Sequence, residues 1–239
     1  MRFLTFTTRS VIPVLVASLL ILTVLCLLYF VAEPQVGRAT NTRDFSIRQQ
    51  IGAEISLGVV ANVTMAGVLN GLTGGNATGT TQAIVLTNNA AGYTMDISFA
   101  DSDGDGTIMR RDLGGLSTSS IRNYATSTYN RMVTPSYGFS FASSAAMFAY
   151  TVTASNTNDI AQNFLNNGSS LCGTGANTTA DVCWMAPTTT AYRVIETSEA
   201  APSGSTTTLK FRVYVPNAPN PGLETGFYTA TATLTAVNI

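Results

Sequence analysis

The sequence predicts an all-β protein, a single antiparallel β-sandwich preceded by one N-terminal transmembrane or signal helix. Three observations predict it. An apolar run without charge lies near the start, and apolar and polar residues alternate with period two through much of the remainder. Only 10% of the 239 residues are charged, so that hydroxyl and amide side chains must form most of the surface, as is common in exported β proteins.

The N-terminal helix is predicted from the run Val11 to Ala32, which contains no charged residue. A helix of about 20 apolar residues spans a bilayer, whereas a cleavable signal has a shorter apolar core. The sequence therefore favours an uncleaved anchor, with a cleaved signal as the alternative. Arg2 and Arg9 precede the run, which predicts that the amino end stays inside and that the rest is exported.

The remainder divides into a connector at 33–50 and a β domain at 51–239, large enough for one sizeable core. Tyr93, Met95, Ile97 and Phe99 alternate with polar residues, which is typical of a strand with one buried face. The predicted strands are 54–60, 63–67, 82–88, 93–99, 137–142, 147–154, 192–197, 209–215 and 228–236. We expect a hairpin turn at 88–92, a helical turn within 160–166, and loops at 71–79, 102–120, 166–186, 200–205 and 217–222.

One acidic loop has the spacing of a calcium site. Counting Asp101 as the first position, carboxylates fall at positions 1, 3, 5 and 12, and Gly106 stands at position 6. Such spacing lets alternate residues fold around one cation while the glycine permits a sharp turn. The predicted Ca²⁺ ligands are Asp101, Asp103, Asp105, the carbonyl of Thr107, and Asp112.

The loop resembles the dockerin type of calcium loop, which also ends in Asp. It departs from helix-based calcium loops because a strand precedes it and Gly114-Gly115 opposes an exit helix. Arg110 and Arg111 are expected to point outward. The alternative is an acidic surface turn without a metal.

Cys172 and Cys183 are predicted to form a disulfide, because an exported domain meets an oxidising compartment. Neither the Cys-x-x-Cys spacing of redox motifs nor a neighbouring His is present. Trp184 is expected to contact the bridge or enter the core. Cys26 is expected to be a lone thiol within the N-terminal helix.

Several short segments resemble a class of exported bacterial surface proteins, common in candidate-phylum bacteria and mostly uncharacterised. They are 86–94, Cys183-Trp184, 209–213 and 225–231. More loosely, the layout is similar to WxL-type and fimbrial-subunit β-sandwiches. The resemblance implies a cell-surface sandwich and supplies no catalytic residue.

These observations favour a membrane-tethered or secreted cell-surface protein with a structural or adhesive role and no enzymatic activity. The net charge of −1 argues against nucleic-acid binding, and the absence of His removes the commonest general base. Expected partners are the membrane through the helix, and a surface protein, a glycan or another copy of the chain. The alternatives are a fibre subunit that donates 45–51 as a strand and, more remotely, a glycan hydrolase with paired carboxylates.

Overall fold

The computed structural model describes residues 11–32, 46–112, 119–125, 134–139 and 144–239. The chain divides into two compact units, Met1–Gln50 and Ile51–Ile239. The first unit contains helix α1 (Val11–Ala32), whose described side chains, at 13–29, are all exposed. A helix is thus present where the sequence predicts one.

Of the helices within the described ranges, none combines the length and the apolar character needed to span a membrane. The predicted transmembrane span is therefore not confirmed.

The second unit is mostly β, as predicted. Its described strands are β1 (Ile55–Leu57), β2 (Leu69–Asn70), β3 (Gly74–Thr87), β4 (Tyr93–Phe99), β5 (Met109–Arg111), β6 (Ser120–Asn123), β7 (Ser136–Tyr137), β8 (Met147–Ala154), β9 (Cys183–Trp184), β10 (Tyr192–Thr197), β11 (Ala201–Val215), β12 (Tyr228–Thr229) and β13 (Ala232–Asn238). A 3₁₀ turn at Gln162–Phe164 lies within the region predicted to form a helical turn, and another, Thr157–Asp159, precedes that region.

The strands form three curled sheets. The large sheet has the order β1-β3-β11-β8-β6-β5-β12, with β2 also paired to β3; a second sheet has the order β10-β4-β13, and β7 pairs with β9. Among the strands that the structure describes, every pair is antiparallel except β6 with β8, which is parallel, so the predicted wholly antiparallel arrangement is wrong at that pair.

The core is built from alternating side chains of β4 and of the large sheet. Tyr93, Met95, Ile97 and Phe99 are buried on one face of β4, as the sequence predicts. The ring of Phe99 lies 5.4 Å from that of Tyr150 in β8, so the second sheet contacts the large one through aromatic side chains. Such contacts stabilise the domain, since each fully buried side chain of this kind contributes about 1.5–3 kcal/mol. The curled sheets do not establish the predicted two-layer sandwich.

The turn at 88–92 is not a hairpin turn. It joins β3 to β4, which lie in different sheets. The Asn89 side-chain amide donates to the carbonyl oxygens of Gly92, at 2.8 Å, and of Ile239, at 2.9 Å. Gly92 has a φ of 92° and no room for a Cβ beside the Thr197 carbonyl, so the turn requires glycine there.

Two predicted loops are strands. The segment 71–79 contains the start of β3, where Gly79 leaves space for the side chain of Val63. The segment 200–205 contains the start of β11, with a bulge between Ala201 and Ser205. The single strand predicted at 228–236 is divided, because β12 pairs with β5 and β13 pairs with β4. Of the predicted strand 137–142, residues 140–142 lie outside the described residues.

Candidate functional site

The acidic loop, residues 101–112, follows β4, includes β5 and brings three of its predicted ligands together. Ligand oxygens of Asp101, Asp103 and Asp105 all lie within 4.8 Å of one another. This triad has the oxygen donors and the spacing to hold a metal ion.

Asp101 organises the loop as a cap for backbone amides. Its carboxylate accepts hydrogen bonds from the amide of Gly104 at 3.0 Å and from that of Gly106 at 2.7 Å. Both glycines have φ near +80°, in the left-handed region that favours glycine. Desolvation acts to raise the pKa of Asp101, but these hydrogen bonds outweigh it and lower the pKa. The loop therefore holds Asp101 in its charged form.

Arg110 enters the acidic loop, so the prediction that it points outward is wrong. Met109 faces the core, and strand alternation turns Arg110 to the opposite side, where the loop folds back. Its Nη2 lies 2.6 Å from Asp103 Oδ1 and also forms an ion pair with Asp105. The Arg110 side chain is only 12% exposed. The guanidinium thus supplies the positive charge expected of a metal ion.

The same ion pair shifts both ionisations. The hydrogen bond from Arg110 lowers the pKa of Asp105, assisted by the Thr107 amide, which donates to Asp105 Oδ1 at 2.7 Å. In return, Asp105 raises the pKa of Arg110. Thr107 therefore contributes through its amide to the closed loop.

Asp112 lies outside the acidic triad within the described part of the chain. Asp112 is exposed and directly follows β5, and its backbone amide donates to the carbonyl of Phe227 at 2.7 Å. Arg111, also predicted to point outward, pairs with Glu224. A strand leaving the loop carries position 12 away from positions 1, 3 and 5, whereas a helix would return it.

Asn123 of β6 braces this loop, and no motif in the sequence predicts that role. Its side-chain amide donates to the Gly106 carbonyl at 2.8 Å and to the Pro187 carbonyl at 3.2 Å, and its oxygen accepts from the Ile108 amide at 3.1 Å. A lone Asn outside every predicted element does not reveal a hydrogen-bond partner 17 residues away.

The disulfide loop, residues 166–183, is the second candidate region. The Cys172–Cys183 disulfide is confirmed, with 5.9 Å between the Cα atoms. Asn166 is fully buried and holds the loop from inside, because its side-chain amide donates to the Asn177 carbonyl at 3.0 Å. Cys26 is free and exposed on α1.

Trp184 lies in the core, in a second apolar cluster with Tyr124, Met147, Ala149 and Ala186. Its Nε1 donates to the Asp181 carbonyl at 2.8 Å, and Phe139 contacts its ring edge-on at 5.4 Å. Burial leaves this ring no face for stacking a ligand.

No family model, curated protein or solved structure matches the chain. The resemblance to exported surface proteins stays a prediction.

Proposed function

We propose that the chain is a cell-surface β protein with a structural or adhesive, non-enzymatic role, either tethered to the membrane by α1 or secreted. The observation that carries this proposal is the Cys172–Cys183 disulfide. Structural disulfides persist in oxidising compartments and are rare where thiols are kept reduced. The bridge closes a loop that is also held by neutral amide hydrogen bonds, such as that of Asn166 to the Asn177 carbonyl. A loop fixed in this way is suited to a structural role.

Helix α1 is proposed to direct export. Its described residues between Val14 and Leu28 expose Leu, Ile and Val side chains, which are unfavourable in water. Amino-terminal sequencing of the mature protein distinguishes the two forms. A chain that begins at or beside Met1 retains α1 as a tether, and a chain that begins after Ala32 is secreted.

External protease tests the location. An epitope placed after Ile239 should be lost when protease is added to intact cells, while a cytoplasmic marker stays intact. Protection of the epitope until the cells are opened would contradict the proposal.

The β domain is proposed to be a two-layer sandwich. The contacts of Phe99 with Phe148 and Tyr150, at centroid distances of 6.1 and 5.4 Å, support packing of the second sheet on the large one. Such a domain offers a rigid platform for binding another surface molecule.

The acidic loop is proposed to take up one Ca²⁺ through Asp101, Asp103 and Asp105, with the Thr107 carbonyl as a further ligand. The acidic triad supports this assignment. Arg110 is its internal competitor, because the guanidinium already neutralises Asp103 and Asp105. Since Asp112 is not in the triad, we expect weak binding unless Asp112 moves toward the cation.

The Arg110→Gln variant tests the calcium proposal. Removing the competing charge should tighten Ca²⁺ binding at least tenfold in calorimetric titration, whereas Arg122→Gln, an exposed arginine of β6, should leave it unchanged. Failure of Arg110→Gln to bind Ca²⁺ would leave the loop as an acidic turn closed by arginine. The ion pairs of Arg110 with Asp103 and Asp105 also argue against the hydrolase alternative, because they leave neither carboxylate free to act as an acid or a nucleophile.

Strand addition to a second copy is the alternative, favoured by one observation. Ile47 and Ile51 are 85% and 82% exposed in a segment that has no regular structure from 46 to 54. If this segment pairs with a neighbouring copy, the mature protein should sediment as oligomers, and the double variant Ile47→Asp, Ile51→Asp should be monomeric. A monomeric wild-type protein would exclude the fibre.

A further inference from the structure

A cleft of about 240 Å³, lined in part by polar side chains, lies apart from the residues of the acidic loop and the disulfide loop. The start of β4, the 3₁₀ turn Thr157–Asp159 and the bulge at the start of β11 form its walls. The polar side chains that line the cleft include Tyr93, Asn156, Asp159, Glu199 and Ser205.

Asp159 is a buried carboxylate without a cationic partner among the described residues. It is only 5% exposed. Its Oδ1 accepts from the Asn156 side-chain amide and its Oδ2 from the Ser205 hydroxyl, both at 3.0 Å. A carboxylate oxygen accepts two hydrogen bonds, so each oxygen keeps unused capacity. Buried charges are normally paired, which makes this one unusual.

Tyr93 supplies a second unsatisfied group. Its side chain is 0% exposed, and its hydroxyl makes no hydrogen bond of good geometry within the described chain. Burial raises the pKa of Tyr93, the nearby Ser205 hydroxyl opposes this, and the charge of Asp159 adds to it. The hydroxyl is therefore neutral and keeps its lone pairs as acceptors. Unpaired buried hydroxyls are rare and cost free energy, so a missing partner is expected here.

The bulge in β11 creates the cleft. Register with β3 shifts between Ala201 and Ser205, and Gly204 adopts a φ of 92° within it. A bulge redirects the side chains beside it. Pairing with β3 resumes at Ser205, opposite Val85, and the Ser205 hydroxyl donates to Asp159. Bulges are found next to binding sites for this reason.

We propose that the cleft binds a primary ammonium group. Of the residues that line it, Asp159 and Glu199 are acidic and none is basic. An ammonium group has three N–H donors and a full positive charge, which match the open positions on Asp159 and the lone pair of Tyr93. The aminoalkyl end of a lysine side chain and an amino sugar both offer this group.

Binding of n-butylamine to the full-length chain tests the site, with n-butanol as the uncharged isostere. Ligand-observed NMR and calorimetry should show saturable binding of the amine with a dissociation constant of about 1 mM, which is reasonable for so small a ligand, and no binding of the alcohol. Comparison of lysine blocked at its α groups with glucosamine then identifies which source of the ammonium group is preferred. Equal binding of n-butylamine and n-butanol, or of glucosamine and glucose, would overturn the proposal, as would no binding of any amine.

Two variants assign the binding to these side chains. Asp159→Asn should weaken n-butylamine binding more than tenfold, while Glu196→Gln, an exposed carboxylate of β10 outside the cleft, should not change it. Tyr93→Phe removes only the hydroxyl and should weaken binding about fivefold, within the usual worth of one hydrogen bond. Its matched control is Tyr192→Phe, another buried hydroxyl without a partner in the described residues but outside the cleft. Unchanged binding in folded Asp159→Asn, or equal losses in Tyr93→Phe and Tyr192→Phe, would overturn the proposal.

Discussion

The acidic loop and the disulfide loop are closed by opposite means. The disulfide loop is held by a covalent bond and by neutral amides such as Asn166, which is fully buried. The acidic loop is held by charge, through Asp103, Asp105 and Arg110, at the edge of solvent. Covalent and neutral contacts are insensitive to salt and acid, whereas exposed charges are sensitive to both. We therefore expect the disulfide loop to contribute most to the stability of the domain, and the acidic loop to respond to salt and acid.

The disulfide should produce the largest effect. Replacing both Cys172 and Cys183 with Ala should lower the free energy of unfolding by about 3 kcal/mol, since a short closed loop restricts the unfolded chain. Urea denaturation without reductant measures this. Cys26→Ala should leave the urea midpoint unchanged. A double variant as stable as the wild type would show that the bridge does not stabilise the domain.

Glycines with positive φ occur in both loops. At Gly175 an added Cβ would lie 2.6 Å from the Asn166 carbonyl oxygen, whereas Gly104 in the acidic loop and Gly173 have open space around them. Left-handed backbone costs about 1–2 kcal/mol for an Ala, so Gly104→Ala and Gly173→Ala should each lose that much stability. Gly175→Ala should lose more, because backbone must also move. Thermal unfolding of the three variants tests the order, and equal losses would show that the interior of the disulfide loop yields easily.

Acid should act on the acidic loop with the smallest effect. Because Arg110 lowers the pKa of Asp105, this carboxyl contributes stability above its unfolded value of about 4 and loses it as pH falls through the lower folded value. The contribution is under about 1 kcal/mol, since the side chain is half-exposed. As pH falls below about 4, Arg110→Gln should lose less stability than the wild type in urea titrations. The cysteine double variant should follow the wild-type pH profile, and a steeper acid loss in Arg110→Gln would contradict this assignment.

Three strands could be predicted with their bounds. β8 and β10 begin and end where the sequence predicts, and β4 matches the alternating segment 93–99. The Cys172–Cys183 bridge could be predicted as well, because compartment and pairing leave few alternatives. In each case the signal is local or covalent.

The predictions that are wrong concern positions where the local structure depends on contacts between distant segments. The start of β3 is rich in Gly and Thr and was expected to be a loop, but Gly79 is needed there because Val63 approaches closely. The turn at 88–92 has a hairpin sequence, yet the sheet to which β4 belongs is decided by β10 and β13. The spacing of the acidic loop predicts that its carboxylates come together, but it does not predict that the Arg110 guanidinium lies among them. The orientation of Arg110 depends on β5, which pairs with the distant strands β6 and β12.

Disulfide mapping of the protein isolated from its own cells decides whether the chain is exported and closed by the Cys172–Cys183 bridge. Thiols are first blocked by alkylation in intact cells, and the protein is then digested without reductant. A cell-surface protein should yield the Cys172 and Cys183 peptides joined to each other, with any retained Cys26 alkylated. Recovery of Cys172 and Cys183 both alkylated without reductant would contradict the exported, disulfide-closed protein proposed for this chain.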